Sequence, residues 1–536
     1  MSQMLKSSGS MGAATMASRL LGLVREQVYA HFMGAGAVAS AFQFAFTLPN
    51  LFRRLLGEGV LSAAFIPIFK AKEKNEGQVA MWRASNAVIS GVIAATSMLA
   101  SIVLIGISVV LACCNLNTEW RLMLELLRVM FPYVILVCLT AIAMGILNAR
   151  GHFFIPAMGA SILNVVMIAS VLWLAPHIGK NLETQIFALA VGVLVAGVAQ
   201  LAFQCPSLRR EGYRFEWINP WRDPVVREVA RKMTIGSIGV AAFQINVSLT
   251  QCMAFGENAP IVSIFAYATR LMELPQGVIG ISLATYLLPT LSGLAIEKKY
   301  GEFRSTLRQG MSYLIFANLI ASILLVVLAK PIVRLVFQHG KFTAMDTDSV
   351  SLTLVLLAPG LVAFSMVNIL ARAFYALDDI MTPMKVSVFC LATNLILTAF
   401  LLFAIKMDAA GLALANTITS LFNVSLLMLA LRKKLKRLEL ADLVRQLPPI
   451  LAAGATAGLE AWIVQAQWDR HLGHATLTLK LGHVFVPALL AGAIYLAITL
   501  SAKVRAAQDV IGLAGSRLKW RGRIRIGHAD ARRARR

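Results

Sequence analysis

Apolar residues along this chain come in long runs, and most charged residues lie in the short gaps between the runs. A helix that crosses a bilayer needs about 20 mostly apolar residues, so each long run predicts one transmembrane helix. The second, eighth and tenth runs are long and contain Gly or Pro, and we expect those helices to bend. The pattern predicts fourteen helices, at residues 11–33, 37–68, 85–113, 122–147, 154–175, 184–205, 229–255, 260–296, 309–330, 346–377, 382–405, 408–431, 445–466 and 481–502.

The composition agrees with this all-α polytopic membrane fold. The chain of 536 residues is 58% hydrophobic and only 14% charged, whereas soluble domains carry about 25% charged residues. A net charge of +24 would suggest a nucleic-acid partner in a soluble protein. Here the cations lie in connecting segments and in a basic tail, so we expect no nucleic-acid partner and interpret the charge as a topology signal.

Positive charge selects one side of the membrane. The segments 70–83, 209–227, 298–304 and 432–437 are rich in Lys and Arg, and with fourteen helices all four lie on the same side as both termini. Cytoplasmic loops carry the excess of Lys and Arg, so the termini are predicted to be cytoplasmic. The basic tail is expected to lie near anionic lipid.

The chain also contains an internal repeat. Pro359 follows Pro132 by 227 residues, and Pro383 follows Pro156 by the same interval. Six helices in each repeat make two parallel lobes, and transporters built in this way bind substrate between the lobes. The predicted organisation is an N-lobe at 1–206, a cytoplasmic interfacial linker at 207–228, a C-lobe at 229–437, two extra helices at 438–503 and a basic cytoplasmic tail at 504–536.

Four arginines lie inside predicted membrane helices, namely Arg19, Arg25, Arg53 and Arg270. A charge at the bilayer centre costs at least ~2.5–3.5 kcal/mol, so such residues normally face a cavity. Arginine also binds phosphate through two parallel hydrogen bonds. We therefore expect these four side chains to form a cationic substrate site for an anion such as a pyrophosphate.

Nearby carboxylates offer ion pairs of a gating or purely structural kind. Arg19 and Glu26 are seven residues apart and share a helix face. Arg54 and Glu58 are spaced i,i+4, so Arg54 is assigned to that pair and not to the substrate. Arg270 has Glu273 at i+3, where a structural pair is the alternative to a substrate role. Arg128 and Arg372 are expected to be structural.

No motif in the sequence indicates an enzyme. There is no Walker loop, no H-E-x-x-H and no G-x-S-x-G, and none of the six cysteines has the spacing of zinc ligands. We therefore expect no catalytic residue, metal or cofactor. Without an ATP site, a membrane potential or an ion gradient must supply the work, at ~2.3 kcal/mol per charge per 100 mV.

Several of these segments resemble the MurJ (MviN) family of lipid II flippases, within the multidrug/oligosaccharidyl-lipid/polysaccharide exporter superfamily. The resemblance runs from about residue 5 to about residue 500. It is carried by segments 18–26 (SRLLGLVRE), 48–54 (LPNLFRR), 58–59 (EG), 65–67 (FIP), 270–278 (RLMELPQGV), 288–292 (LPTLS) and 340–343 (GKFT).

The resemblance implies a transporter without covalent chemistry that serves peptidoglycan synthesis in the bacterial inner membrane. Such a protein would flip lipid II, an undecaprenyl-pyrophosphate-linked disaccharide-pentapeptide, from the cytoplasmic to the periplasmic leaflet by alternating access. The last two helices would hold the lipid tail, and cell-wall synthesis proteins are possible partners. The four arginines match family positions taken to bind the lipid head.

Some positions depart from the family pattern. Glu26 stands where many members have Asp, and Ser40, Thr47 and Thr269 replace charged residues of some members. These changes weaken any gating ion pair at those sites. The alternatives are a related exporter of drugs or of another polyprenyl-linked glycan, and a scaffold without transport. A cationic-drug exporter should carry acidic residues in its cleft, and a scaffold leaves the membrane arginines unexplained.

Overall fold

The computed structural model describes the backbone of residues 2–53, 60–277 and 282–512, and the side chains at 18–53, 65–233, 244–277, 283 and 287–512. Within those ranges every regular element is helical, which confirms the predicted all-α membrane fold. The helices are α1 (Ser2–Met33), α2 (Ala37–Phe52), α3 (Val60–Cys113), α4 (Thr118–Met130), α5 (Tyr133–Ala149), α6 (Phe154–Ala169), α7 (Ala175–Ile178), α8 (Leu182–Gln185), α9 (Phe187–Arg210), α10 (Pro224–Glu257), α11 (Pro260–Pro275), α12 (Ser282–Ile296), α13 (Tyr300–Val327), α14 (Ala329–Phe337), α15 (Ala344–Leu357), α16 (Gly360–Ala376), α17 (Met381–Ala399), α18 (Asp408–Leu435), α19 (Ala441–His471) and α20 (Leu477–Ser501).

The described helices are consistent with the predicted membrane crossings. Eight are long and apolar enough to span a bilayer, and two bent pairs raise the number to 10. These ten correspond to the predicted third to sixth and ninth to fourteenth spans. The other four, predicted at 11–33, 37–68, 229–255 and 260–296, each include residues whose side chains lie outside the described ranges. The total of fourteen therefore stays a prediction.

The internal repeat reappears as two bent helix pairs. α4 and α5 meet at 44°, and α15 and α16 meet at 47°. The breaks fall at Phe131-Pro132 and at Ala358-Pro359, the prolines that are 227 residues apart. A proline cannot donate the intrahelical hydrogen bond and its ring crowds the preceding turn, so both pairs bend there. A bend was predicted for the second of these spans only, and the bend in the first is an additional finding.

Each repeat also carries a wider helical turn next to a membrane helix. A π-helical segment follows α6 at Ser170–Leu174, and another follows α17 at Phe400–Ala404. A π turn bonds each N–H one residue further back than an α turn does. The two halves thus share bends and local widenings as well as sequence spacing.

The charged segment 70–83 is helical, whereas the sequence suggested a loop between two spans. α3 runs through it, with a single break at Gly77, whose φ is 85°. Lys70 and Lys72 pair with Glu73 at 2.8 Å and Glu76 at 2.5 Å, one turn further along. Ion pairs with i,i+3 and i,i+4 spacing stabilise an exposed helix, so charge alone did not mark its end.

The chain forms two compact units. The first comprises Met1–Tyr267, Val336–Thr347 and Leu395–Ala409, and the second comprises Ala268–Leu335, Asp348–Asn394 and Ala410–Arg536. A core of the first joins α3, α5 and α9 around Phe69 and Ile146. A core of the second joins α12, α13, α16 and α18 around Phe303 and Phe374. The lobe limits predicted from the repeat remain a prediction.

Candidate functional site

Arg25 is the best-held arginine among the predicted site residues. It lies on α1, where its Nη2 contacts Glu26 Oε1 at 2.5 Å and its Nη1 donates to Asn164 Oδ1 at 3.0 Å. The guanidinium also lies over the ring of Tyr29, 5.4 Å from the centroid. Its side chain is only 13% exposed and that of Glu26 only 9%. A buried arginine needs such partners, because an unpaired charge is expensive to bury.

Asn164 fixes this cluster from the neighbouring helix α6. Its Nδ2 donates to the carbonyl of Ser18 at 3.0 Å, so one amide links Arg25 to the preceding turns of α1. Gly22 lies beside Asn164, where a Cβ would make an ordinary van der Waals contact at 3.7 Å from Nδ2. Sequence analysis missed Asn164, although a buried amide inside an apolar helix signals an interhelical hydrogen bond.

An aromatic row continues from the Arg25 cluster into the interior of the first unit. Tyr29 packs edge-on against Phe42, with centroids 5.8 Å apart, and Phe42 stacks on Phe46 at 6.1 Å. Phe46 in turn contacts Tyr133 of α5 at 6.4 Å. The rings hold α1, α2 and α5 in register and give the arginine a largely apolar wall.

Arg19 and Arg53 are placed differently from Arg25. Arg19 is exposed on α1, and within the described part of the chain its side chain has no ion-pair or hydrogen-bond partner. Arg53 is half-buried at the end of α2, where its Nε donates to Asn50 Oδ1 at 2.7 Å. Asn50 is a second amide that the sequence reading did not single out.

Arg270 belongs to the second compact unit, in the second half of α11. Its Nη1 contacts Glu273 Oε2 at 2.8 Å, and the two side chains are 45% and 46% exposed. The i,i+3 pair that the spacing suggested is therefore present at an exposed position. Arg54 and Glu58, predicted as an ion pair, lie outside the described residues.

A second feature of the first unit is a junction between the α1–α2 turn and segments from later in the sequence. The carbonyl of His31 accepts from the backbone N–H of Lys341 at 3.0 Å. The Tyr267 hydroxyl donates to the carbonyl of Gly34 at 3.1 Å, and the Ser263 hydroxyl donates to that of Ala35 at 2.7 Å. We call these contacts the main-chain junction, because backbone atoms supply most of them.

Two glycines make the junction possible. Gly34 has φ +65°, and a Cβ there would lie 2.7 Å from the carbonyl oxygen of Lys341. Gly340 has φ +60°, and its Cβ would lie 2.4 Å from the carbonyl oxygen of His31. Both positions combine left-handed backbone with a close approach, which favours glycine on two counts.

Ser40, one of the departures from the family pattern, also takes part. It is fully buried, and its hydroxyl oxygen accepts from the backbone N–H of Ser263 at 3.0 Å. A neutral hydroxyl thus makes the contact at this position. The Thr47 hydroxyl donates its hydrogen bond to the Gln43 carbonyl, one turn earlier in the same helix.

Charged corners terminate the bent pairs of both repeats. After α5, Arg150 Nε contacts Glu211 Oε2 at 2.7 Å and His152 Nε2 contacts Glu211 Oε1 at 2.8 Å. Hydrogen bonds from His152 and Arg150 lower the pKa of Glu211. Arg150 also pairs with Glu73 of α3.

After α16 the corner has the opposite polarity. There the acid, Asp379, belongs to the corner itself and accepts from Lys434 Nζ at 2.6 Å. The Lys434 ammonium and the Thr382 N–H lower the pKa of Asp379 to about 2. In the part of the chain that the structure describes, no three His, Cys, Asp or Glu side chains converge as metal ligands would.

The chain is similar to known proteins in both sequence and fold. The family model described as "Lipid II flippase MurJ" matches residues 29–481. A "Probable lipid II flippase MurJ" of Vibrio cholerae serotype O1 is 33% identical over 441 residues, which is 79% of this chain and 82% of that protein. The "Lipid II flippase MurJ" of Burkholderia cenocepacia is 32% identical over 429 residues, covering 78% and 82%.

Solved structures of similar fold include one described as "Lipid II flippase MurJ, inward closed conformation", with TM-score 0.72 and 22% identity over 94% of this chain and 99% of that one. An inward-facing multidrug resistance MATE family transporter of the MOP superfamily follows, with TM-score 0.62 and 14% identity over 81% and 99%. At these identities the likeness concerns the fold alone.

Proposed function

The chain belongs to the MurJ family of lipid II flippases, and from that premise we propose that it moves lipid II across the bacterial inner membrane by alternating access, with an arginine-lined cavity that binds the pyrophosphate. It is a multi-pass membrane transporter of peptidoglycan synthesis and not an enzyme. The observation that carries the cavity proposal is Arg25, a largely buried cation that contacts Glu26 of its own helix and Asn164 of α6. Burying a charge in a membrane helix costs free energy, and ionisable residues at such positions normally mark functional sites.

Arg25 is suited to an anionic ligand even though it already has a carboxylate partner. Its Nε is buried and makes no hydrogen bond in the described structure, so one donor of the guanidinium remains available. Arg19 and Arg53, on α1 and α2, would add positive charge from the same unit, and Arg270 would add it from the other. Two phosphates need several charge-assisted hydrogen bonds, which arginines supply best.

The main-chain junction supports alternating access. In the proposed orientation, with both termini cytoplasmic, the α1–α2 turn and residues 338–343 lie at the periplasmic end. We propose that the junction closes that end in this conformation and opens when lipid II leaves. A set of hydrogen bonds between rigid turns can break together, as a gate requires.

The C-terminal helices are proposed to hold the undecaprenyl tail. α19 packs on α13 through Gly454 and Gly458, whose Cα atoms face Leu319 and Ile323. Its other face, like that of α20, is apolar and exposed, at Leu459, Trp462, Phe485 and Leu489 among others. An apolar surface of this kind suits lipid chains. The energy source, a membrane potential or an ion gradient, and any cell-wall synthesis partner also remain proposals.

Translocation of lipid II by the full chain tests these roles. Arg25→Ala, Arg53→Ala and Arg270→Ala, alone and combined, should reduce the arrival of lipid II in the outer leaflet of proteoliposomes. Arg128→Ala is the matched control, because Arg128 is exposed on α4 and has no described partner. Normal flipping by the triple variant would refute the arginine site. Collapsing the potential and each ion gradient in turn identifies the energy source.

A further inference from the structure

The segment 211–223 between α9 and α10 is fixed against α3 by its backbone. Asn86 Nδ2 donates to the carbonyl of Arg214 at 2.9 Å, and the N–H of Ile218 donates to Ser90 Oγ at 3.2 Å. Tyr213 packs against Trp82, with ring centroids 5.4 Å apart. We call this segment the strap. Its contacts with α3 use its own main-chain atoms and one ring, and Glu211 and Asp223 at its two ends are paired with neighbouring residues. Most side chains between those ends point outward.

The outward side chains of the strap are aromatic or basic. Phe215, Trp217 and Trp221 are 51%, 58% and 66% exposed. Arginines are exposed along the same stretch and just beyond it, at Arg209, Arg210, Arg214, Arg222 and Arg227. Exposed aromatic rings of this size normally find an apolar partner.

The five arginines have no carboxylate partner among the described residues. The neighbouring acids are engaged elsewhere: Glu211 with Arg150 and His152, Asp223 with the first turn of α10, and Glu228 with Lys232. Glu216 is the remaining acid of the strap and is exposed. The surface is therefore strongly positive.

The strap lies at the border between the charged and the apolar parts of α3. Its contacts run from Trp82, next to charged Arg83, to Gly91, where an added Cβ would lie 3.4 Å from Pro220 of the strap and 3.1 Å from Val226 of α10. Trp82 and Gly91 are nine residues apart on α3, so the strap follows this helix for about 14 Å. This border is where a multi-pass protein meets the lipid headgroups, and tryptophan is enriched at that depth.

We propose that the strap is a binding surface for anionic phospholipid, with arginines on the headgroup phosphates and Phe215, Trp217 and Trp221 between the glycerol backbones and upper acyl chains. The charge complementarity and the exposed rings together favour a lipid over a free phosphate ester, which would leave the rings without a partner. On this proposal, the anionic leaflet holds the helix junction α9–α10 in place. The proposal does not depend on the identity of the transported lipid.

The experiment uses the full chain in nanodiscs of phosphatidylcholine with graded amounts of phosphatidylglycerol, brominated on its acyl chains. Native mass spectrometry measures retained phosphatidylglycerol, and quenching of tryptophan fluorescence locates it. The strap variant Arg214→Gln/Arg222→Gln/Arg227→Gln should lose the preference for phosphatidylglycerol, by about fivefold for each arginine removed. Trp217→Leu/Trp221→Leu should remove the strap's share of the bromine quenching and leave that of other exposed tryptophans such as Trp173 and Trp462.

The matched control is Arg432→Gln/Lys433→Gln/Lys436→Gln, which removes three exposed cations from the last turn of α18 and the residue after it. It should retain phosphatidylglycerol almost as the unchanged protein does. Equal losses from both triple variants, or no preference in the unchanged protein, would overturn the proposal. Displacement of phosphatidylglycerol by inorganic phosphate would identify a free-anion site instead and would also overturn it. Melting temperatures verify that each variant is folded.

Discussion

The bent pair α4–α5 and the bent pair α15–α16 are built alike, but the charged groups around them differ. Both bend at a proline, at 44° and 47°. The corner after α5 places its cations on the bent pair and its acids on α3 and after α9, whereas the corner after α16 reverses this arrangement. The repeated backbone therefore fixes where the helices turn, and it leaves the charge at each turn open to change.

The predicted site arginines also differ in their surroundings although their local sequences are similar. Arg25 and Glu26 in the first unit are 13% and 9% exposed, while Arg270 and Glu273 in the second are 45% and 46% exposed. Both pairs consist of an arginine followed within three residues by a glutamate. Burial gives the first pair a structural role in addition to the ligand-binding role that we propose for it, whereas the exposed second pair should contribute little to stability.

Removing Arg25 should have the largest effect. Arg25→Ala removes the guanidinium that contacts the buried Glu26 carboxylate, and breaking a buried pair costs about 3–5 kcal/mol. We expect a marked fall in melting temperature in detergent and loss of lipid II translocation.

The double variant Arg25→Ala/Glu26→Gln separates the two roles of this arginine. Replacing the buried Glu26 carboxylate with a neutral amide should restore much of the melting temperature without restoring translocation. If translocation returned together with stability, Arg25 would be structural only and the contrast with Arg270 would disappear.

Asn164→Leu should have the next largest effect. It removes the hydrogen bond to Arg25 and the bond to the Ser18 carbonyl, at about 1–3 kcal/mol for a buried polar group left unsatisfied. Thermal melting measures the loss. Asn50→Leu, at the amide that binds Arg53, is the comparison within the same unit, and an Asn164→Leu protein as stable as the unchanged one would contradict this interhelical link.

Arg270→Ala should hardly change stability, because exposed ion pairs contribute about 0.2–1 kcal/mol. We nevertheless expect it to abolish translocation. The exchange Arg270→Glu/Glu273→Arg keeps an ion pair at the same spacing, and it should also be inactive if the position of the positive charge matters. An active exchange variant would assign the pair to structure.

The two corners should respond to acid in different pH ranges. The pKa of Glu211 is lowered in the folded protein, so its stabilising contribution is present above the ordinary glutamate pKa of 4.5 and is lost as pH falls below it. Asp379 has a pKa of about 2 in the folded protein against an ordinary value of 3.8, so its stabilising contribution declines only as the pH falls below 3.8. Melting temperatures between neutral pH and about pH 4 should therefore change slope in Glu211→Gln but hardly in Asp379→Asn. The opposite order would contradict the pKa assignments.

Much of the fold followed from the sequence, because hydrophobic runs and repeated prolines are local signals. The spacing that aligned Pro132 with Pro359 could also have predicted the bend between α4 and α5. Of these two runs, only the longer one, at 346–377, was predicted to bend. The helix at 70–83 was not predicted, because a segment rich in charged residues has the composition of a polar loop. The ion pairs that stabilise it as a helix are visible only in the structure.

The site was predicted less completely. The arginines were found because charge is conspicuous in an apolar helix, and the Arg270–Glu273 pair follows from its spacing. Asn164 and Asn50 were missed, since their partners come from side chains whose proximity depends on packing or on a particular rotamer. Burial, which distinguishes Arg25 from Arg270, is a property of the assembled helices and cannot be read from either segment alone.

The main-chain junction has a consequence for how this protein can vary. Contacts made by the carbonyls of His31, Gly34 and Ala35 do not depend on which side chain those residues carry. A saturation mutagenesis library should therefore tolerate many replacements at His31 while rejecting nearly all at Gly34 and Gly340, where any Cβ collides with backbone. A compound that bound the backbone atoms of this turn would select few resistance substitutions. Changing a side chain there leaves the backbone contacts of the compound intact.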